Sequence, residues 1–189
     1  QSLLEMTIDE FNLVEMFPDE VLKSSLNPKP LTYTEREDLT ELNLVTIDGA
    51  DAKDFDDAVF AEPTGDGGWR LVIAIADVCH YVYEDSAIDA EARKRGNSVY
   101  LPGRVLPMLP ENLSNGLCSL KPNEEKACLA VEIYLDAKGN KIKHRFIRGV
   151  IRSIARLTYD SVQSVYEGLF DERKLNLPSG TLHNLFAVY

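Results

Sequence analysis

Leu44-Val45-Thr46-Ile47-Asp48-Gly49-Ala50-Asp51-Ala52-Lys53-Asp54-Phe55-Asp56-Asp57-Ala58-Val59-Phe60-Ala61 joins an apolar run to a second apolar run through an acidic segment. Apolar and β-branched residues on both sides of a turn-forming segment predict two strands joined by a loop. Five aspartates, Asp48, Asp51, Asp54, Asp56 and Asp57, fall within ten positions. Carboxylates this crowded repel one another, and a cation, a cationic partner or water is needed to relieve them. A hard divalent ion suits such a set, since magnesium takes oxygen ligands at about 2.0–2.1 Å and keeps waters in its shell. In an extended segment Asp54 and Asp56 share a face, while Asp57 points the other way unless the chain turns there. A solvated acidic turn is the competing reading, because Asp and Gly favour turns whatever their role. An EF-hand loop is excluded by count: starting from Asp51 or Asp54, Lys53 or Ala58 falls where a ligand belongs. An aspartyl-phosphate site would need an apolar strand leading directly into Asp54, and none does.

Outward from this loop, Trp69 to Ala76 predicts a strand that follows the turn Thr64 to Gly68. It is apolar almost without alternation, which predicts cover on both faces and a buried exit at Asp77. A carboxylate there requires a partner, either as a turn cap or in support of a metal site. Ser86 to Gly96 reads as a helix with a serine cap, a glycine stop and the cations Arg93, Lys94 and Arg95 in its last turn. Further helices are expected from Phe17-Pro18-Asp19, from Thr34 as an N-cap through Leu39, and over Thr158 to Gly168 with Tyr159, Val162 and either Val165 or Tyr166 on its buried side. Lys126 to Asp136 and Lys141 to Ser153 form a hairpin around Ala137-Lys138-Gly139-Asn140, with Arg145, Arg148 and Arg152 along its second strand and Arg156 following. The segment Pro107 to Leu120, rich in Pro, Asn, Ser and Gly, is expected to be a shaped loop walling the site.

With 189 residues, 44% apolar and 27% charged, the composition is that of an ordinary globular domain. No apolar run approaches the ~20 residues of a bilayer span, so no membrane partner is expected and the cytoplasm is the expected compartment. Cys79, Cys118 and Cys128 are odd in number and lack CxxC spacing, which favours buried thiols in a reducing environment. His80 has no nucleophile or second histidine spaced to work with it and reads as a packed or a surface histidine rather than a catalytic base. A net charge of −11 lacks the basic face of an ordinary nucleic-acid binder.

Seven blocks carry a resemblance: Asp48; Asp54 to Ala58; Ile73 to Val78; Arg95 to Pro102; Pro107 to Glu111; Leu113 to Leu120; and Ala155 to Tyr159. In order and spacing the sequence resembles the catalytic domain of the ribonuclease II and ribonuclease R family over roughly residues 14 to 168, nearer its ribonuclease R branch. The resemblance implies an α/β (mixed α+β) fold: a mixed sheet with flanking helices, with residues 1–43 a lead-in and residues 44–189 the first half of an RNB-type catalytic domain. It implies a magnesium-dependent 3′-to-5′ exoribonuclease acting on single-stranded RNA as a monomer, with manganese as an alternative ion and no other cofactor. Asp48 and Asp57 are then the expected direct metal ligands, and Asp54 and Asp56 ligands or orienters of the water and the terminal nucleotide. Tyr100 is expected to stack on the 3′-terminal bases, a contact typically worth ~1–3 kcal/mol per base, and Arg93 and Arg95 to meet phosphates. The family also uses an arginine and a glutamate expected beyond Tyr189, so this chain alone is expected to be inactive. Magnesium offsets part of the acidic charge, and the family carries much of its RNA grip in other domains. Two readings from other classes stay open: a catalytically inactive RNA-binding module and a metal-stabilised structural domain.

Overall fold

Alternation, turn glycines and β-branched residues decide the strands, and a computed structural model, which describes residues 3–189, shows their order. In sequence the elements are α1 (Leu3–Glu10), α2 (Asp19–Ser25), β1 (Glu37–Asp38), β2 (Val45–Asp48), β3 (Asp57–Pro63), β4 (Trp69–Ala76), α3 (Ala87–Arg95), β5 (Val99–Leu101), β6 (Arg104–Leu106), β7 (Glu125–Leu135), β8 (Lys141–Arg152), β9 (Ala155–Thr158), α4 (Tyr159–Tyr166) and α5 (Thr181–Val188). They form a mixed α/β fold in two compact units, one of residues 3–30 and 78–117, the other of residues 31–77 and 118–189.

The larger unit is a seven-stranded sheet in the order β1-β8-β7-β4-β3-β2-β9. β3 and β4 pair antiparallel from Asp57 opposite Ile75 to Pro63 opposite Trp69. Their turn needs glycine: a Cβ on Gly68 would lie 2.2 Å from the Leu135 carbonyl oxygen. β4 continues antiparallel to β7, and β7 to β8, whereas β1–β8 and β2–β9 are parallel. At one end of the sheet Val45 and Leu157 pack with Leu182 in a core closed by Val162 and Val165 of α4 and by Leu185 and Phe186 of α5. α4 starts with a capping box in which Thr158 and Ser161 bond each other's backbone N–H. Tyr159, expected on its buried side, is instead largely exposed, because the packed stripe runs through Val162 and Val165.

Two strand and helix expectations are corrected. β4 is fully covered on one face only: Val72, Ala74 and Ala76 are buried, while on the other Leu71 and Ile73 are half-buried and Ile75 is 46% exposed, beside Leu129 of β7. Both neighbours of β4 are antiparallel, and within this unit α4 and α5 pack on β2, β3 and β9, so the apolar run did not require two covered faces. Thr34 to Leu39 is no helix. Glu35 takes a left-handed φ of 63°, and the chain enters β1 so that Arg36 pairs with Asp77 at 2.6 Å, both side chains almost wholly buried. Arg36 also donates to the Gly149 carbonyl, and Arg148 meets Asp77 at 3.2 Å. Helix propensity at a surface segment is worth a few tenths of a kcal/mol per residue, whereas a buried unpaired Asp77 would cost several. Gly149 is what lets β1 approach: a Cβ there would meet Glu37 O at 3.2 Å and Cys128 Sγ at 3.3 Å.

A second ionic knot lies across β4, β7 and β8. Glu132, 3% exposed, accepts from Arg70 Nε at 2.7 Å and from Arg145 Nε, while Arg145 also holds Glu37 in a fork of two 2.8 Å bonds. Cys118 and Cys128 are buried with thiols pushed up to about 12 by desolvation, whereas Cys79 is exposed, contrary to expectation.

The smaller unit contains α1, α2, α3 and the β5–β6 hairpin. Ser86 caps α3 by accepting from Asp89 N–H, and Gly96 ends it at a φ of 78°. His80 is buried and packed, its Nε2 3.1 Å from Pro30 O and its ring edge-on to Tyr81.

The Glu132 knot yields a pH prediction. The Arg145 hydrogen bond first, and then Arg70, hold the Glu132 carboxyl below its ordinary value of 4.5 against the opposing effect of burial. A depressed folded value means that the pairing stabilises above about 4.5 and is lost as pH falls through the folded value. Glu132→Gln is therefore expected to cost about 3 kcal/mol at neutral pH, with the gap to wild type narrowing in acid. Denaturant melts at neutral and acid pH check it; a gap that is constant with pH contradicts the pairing.

Candidate active site

β2 ends at Asp48, and the chain returns to β3 through a loop whose backbone is fastened at several points. Ala52 N–H closes a turn on Gly49 O at 3.1 Å. Ser119 Oγ donates to Lys53 O at 2.7 Å and accepts from Phe55 N–H at 3.1 Å, and Leu120 N–H donates to Phe55 O at 2.8 Å. Ala76 N–H donates to Asp56 O at 2.9 Å, tying the loop to the end of β4. From the β9 side Arg156 Nη2 donates to Gly49 O and Ala50 O, at 2.6 and 2.7 Å. Phe55 is buried between Asp54 and Asp56 and faces the Arg156 guanidinium at 5.4 Å. An apolar anchor in the middle of the acids thus fixes the acidic segment to the core.

The four aspartates feel one another. Burial first, and then the Asp57 charge, raise Asp48 above the ordinary carboxylate range; Arg156 opposes the rise and Asp54 adds to it. Asp56 is raised by loss of surrounding water first, and then by Asp54, Asp57 and Asp48. Asp51, the fifth acid, is exposed on the turn. The structure thus brings Asp48, Asp54, Asp56 and Asp57 into one electrostatic neighbourhood. Asp77 is outside it, occupied by Arg36 and Arg148, so it acts as a buried structural ion.

Among the described residues, no group of three or more His, Cys, Asp or Glu side chains is gathered tightly enough to enclose a metal ion. The residues present nonetheless fit a hard cation. Asp48 Oδ2, Thr46 Oγ1 and Arg156 Nε, on the same face of β2 and β9, are buried without a well-formed hydrogen bond, and the Thr46 hydroxyl only slightly offsets the rise at Asp48. A buried acceptor left unpaired is costly, and an all-oxygen donor set with several negative charges is the chemistry magnesium or manganese takes.

The expected nucleic-acid residues belong to the smaller unit. Tyr100 lies on β5 opposite Val105, with its side chain 67% exposed. Arg93 is exposed and paired with Asp89 at 2.9 Å. Arg95 corrects the expectation. It is nearly buried, donating to Glu91, Val14 O, Met16 O and Pro107 O, with its guanidinium 3.7 Å from the Phe17 ring centroid. Its donors are spent inside the unit, so Arg93 and Lys94 are what this helix end offers to solvent. Sequence reading did not single out Ser119, Phe55 or Arg36. The serine lies within a matched block, but nothing local marks a hydroxyl as a loop clamp.

An acidic loop between two strands of a mixed sheet, with an oxygen-only donor set, defines a candidate divalent-metal site. The RNB domain profile matches residues 36–188, and the chain belongs to the RNB domain family. Ribonuclease R of Acidithiobacillus ferrooxidans is 52% identical over 169 residues, 87% of this chain and 38% of that protein. Mycoplasma genitalium RNase R in complex with double-stranded RNA matches with a TM-score of 0.90 at 34% identity, over 97% of this chain and 33% of the other. The same enzyme in complex with ribose-methylated single-stranded RNA matches at 0.89, over 97% of this chain and 29% of the other. The chain therefore spans well under half the length of these relatives.

Crowding of the carboxylates predicts that Asp56→Asn, which removes one charge and keeps the shape, raises the melting temperature by a few degrees in EDTA. Calorimetry without divalent metal measures this, and an unchanged or lower value would show that the acids do not repel at neutral pH.

Proposed function

We propose that the protein is a 3′-to-5′ exoribonuclease that hydrolyses single-stranded RNA to nucleoside 5′-monophosphates. The observation that carries the reading is the fastened loop on which Asp48, Asp54, Asp56 and Asp57 share one neighbourhood, in a chain half-identical to a ribonuclease R. RNA as the partner is supported by the RNA-bound state of the matching Mycoplasma genitalium enzyme.

Asp48 and Asp57 would hold magnesium, or manganese, directly, and Asp54 and Asp56 would complete the shell or orient the attacking water and the terminal nucleotide. When bound, such an ion neutralises the scissile phosphate and lowers the pKa of a coordinated water. The chain's own part is preorganisation. Phe55 and Ser119 hold the acidic backbone in place before substrate arrives, so that little ordering remains to be done at the moment of reaction. Tyr100 offers an exposed ring on a short hairpin, suited to stacking on an unpaired base whatever its identity. Arg93 and Lys94 offer charge to phosphates, the former in competition with Asp89. The protein is proposed to act as a monomer in the cytoplasm, which suits its three unpaired cysteines. Because the chain spans 38% of the Acidithiobacillus relative, residues 1–189 by themselves are expected to hydrolyse little RNA.

The test uses the intact protein with a 5′-labelled single-stranded RNA. A ladder shortening from the 3′ end with magnesium, and lost both with EDTA and in Asp57→Asn, is the expected result. RNA left whole by wild type, or an Asp57→Asn variant as fast as wild type, would overturn the assignment. Tyr100→Ala is expected to lengthen the residual end product while the metal dependence stays the same, read from the same gel.

A further inference from the structure

Arg156 stands apart from the other arginines of the β7–β9 region. Arg145, Arg148 and Arg152 each meet a carboxylate, of Glu37 and Glu132, of Asp77 and of Glu125. Arg156 instead spends its guanidinium on backbone. The parallel register of β2 and β9 sets Arg156 beside Thr46 and Thr158 beside Asp48, so it comes at the acidic loop from the neighbouring strand. Its Nη2 spans the two carbonyls that directly follow Asp48, at 2.6 Å to Gly49 O and 2.7 Å to Ala50 O. Its plane faces the Phe55 ring, the apolar anchor between Asp54 and Asp56. One side chain thus reaches both ends of the acidic segment, and its Nε is buried without a hydrogen-bond partner on the strand position next to Thr46.

We infer that Arg156 is a positioning residue for the metal-binding aspartates: by tying the Gly49 and Ala50 carbonyls to β9 and lying over Phe55, it fixes Asp48 relative to Asp54, Asp56 and Asp57. The inference rests on the reading of those aspartates as the metal ligands of a nuclease. Its charge acts in the same sense, offsetting part of the repulsion among carboxylates without neutralising any by direct pairing. Lysine is a poor substitute, since a compact ammonium on a flexible stem lacks the planar guanidinium that lies over the Phe55 ring while one of its nitrogens reaches both carbonyls. Partners that orient metal ligands from behind typically govern metal affinity or activity by about 10–100-fold.

The experiment uses the intact protein and compares wild type, Arg156→Met, Arg156→Lys and, as a variant destabilised elsewhere, Glu132→Gln. Magnesium affinity is measured by isothermal titration well below each melting temperature, and kcat and KM on single-stranded RNA are measured alongside. Arg156→Met is expected to bind magnesium roughly tenfold more weakly or worse and to lose kcat with little change in KM. Arg156→Lys recovers little of either, while Glu132→Gln loses stability and keeps wild-type magnesium affinity. If Arg156→Met does not fold, Arg156→Lys carries the same comparison. Wild-type affinity and kcat in a folded Arg156 variant would overturn the inference, and so would an equal loss of affinity in Glu132→Gln, which would reduce Arg156 to a general stabiliser. An affinity loss in Arg156→Met alongside a wild type that hydrolyses no RNA supports the positioning role and overturns only the exonuclease reading.

Discussion

Four carboxylates held together at the end of a buried strand repel one another, and much of the larger unit counters that repulsion. Asp48 cannot retreat into water, because β2 lies between β3 and β9 and ends where the loop begins. Asp54, Asp56 and Asp57 cannot scatter, because Phe55 is buried and its N–H and C=O are both bonded to the Ser119–Leu120 segment. The strain is electrostatic and local, and a hard cation is the natural means of relieving it. A site built this way gives up some stability in the absence of metal in return for ligands that are already in place.

The acidic loop depends in turn on a sheet fastened by ions rather than by apolar bulk alone. The buried face of the central strands is lined with small residues, Ala58, Ala74, Ala76, Cys128 and Ala130, which allow close packing but supply little apolar area each. Charges knit the remainder. Arg36 and Arg148 converge on Asp77 at the exit of β4, and Arg70 and Arg145 on Glu132 at its middle. Because β4 exits next to the loop, with Ala76 N–H on Asp56 O, order in the Asp77 cluster is order in the acidic site.

Much of this was legible in the sequence where the signal was local. Two apolar runs around an acidic turn, a serine-capped helix stopped by Gly96, and a hairpin turning at Gly139 all form as their residues require. The aspartates announced themselves because no ordinary turn needs so many charges. Errors arose where a distant partner outweighed local preference. Thr34 to Leu39 has the pattern of a helix start, yet Arg36 is drawn to Asp77, forty-one positions away. Arg95 has the position of a cation complementing a helix end, yet its donors are taken by backbone carbonyls far away in sequence, at Val14 and Met16.

The sequence by itself determined the chemistry: which oxygen donors are available, on which loop, and between which strands, because residue type and spacing are properties of the chain alone. Only the tertiary structure decided which charges remain available. Asp77, Arg36, Arg95 and Arg145 are consumed by partners inside their own units, while Asp48, Asp56 and Asp57 meet no cation of the chain's own in a salt bridge among the described residues. The physical reason is that a buried charge must be paired, and the pairing is set by the register of strands that lie far apart in sequence. Arg156 illustrates the difference: as a residue it is one more arginine on a strand, and only the parallel alignment of β9 with β2 places it against the acidic loop.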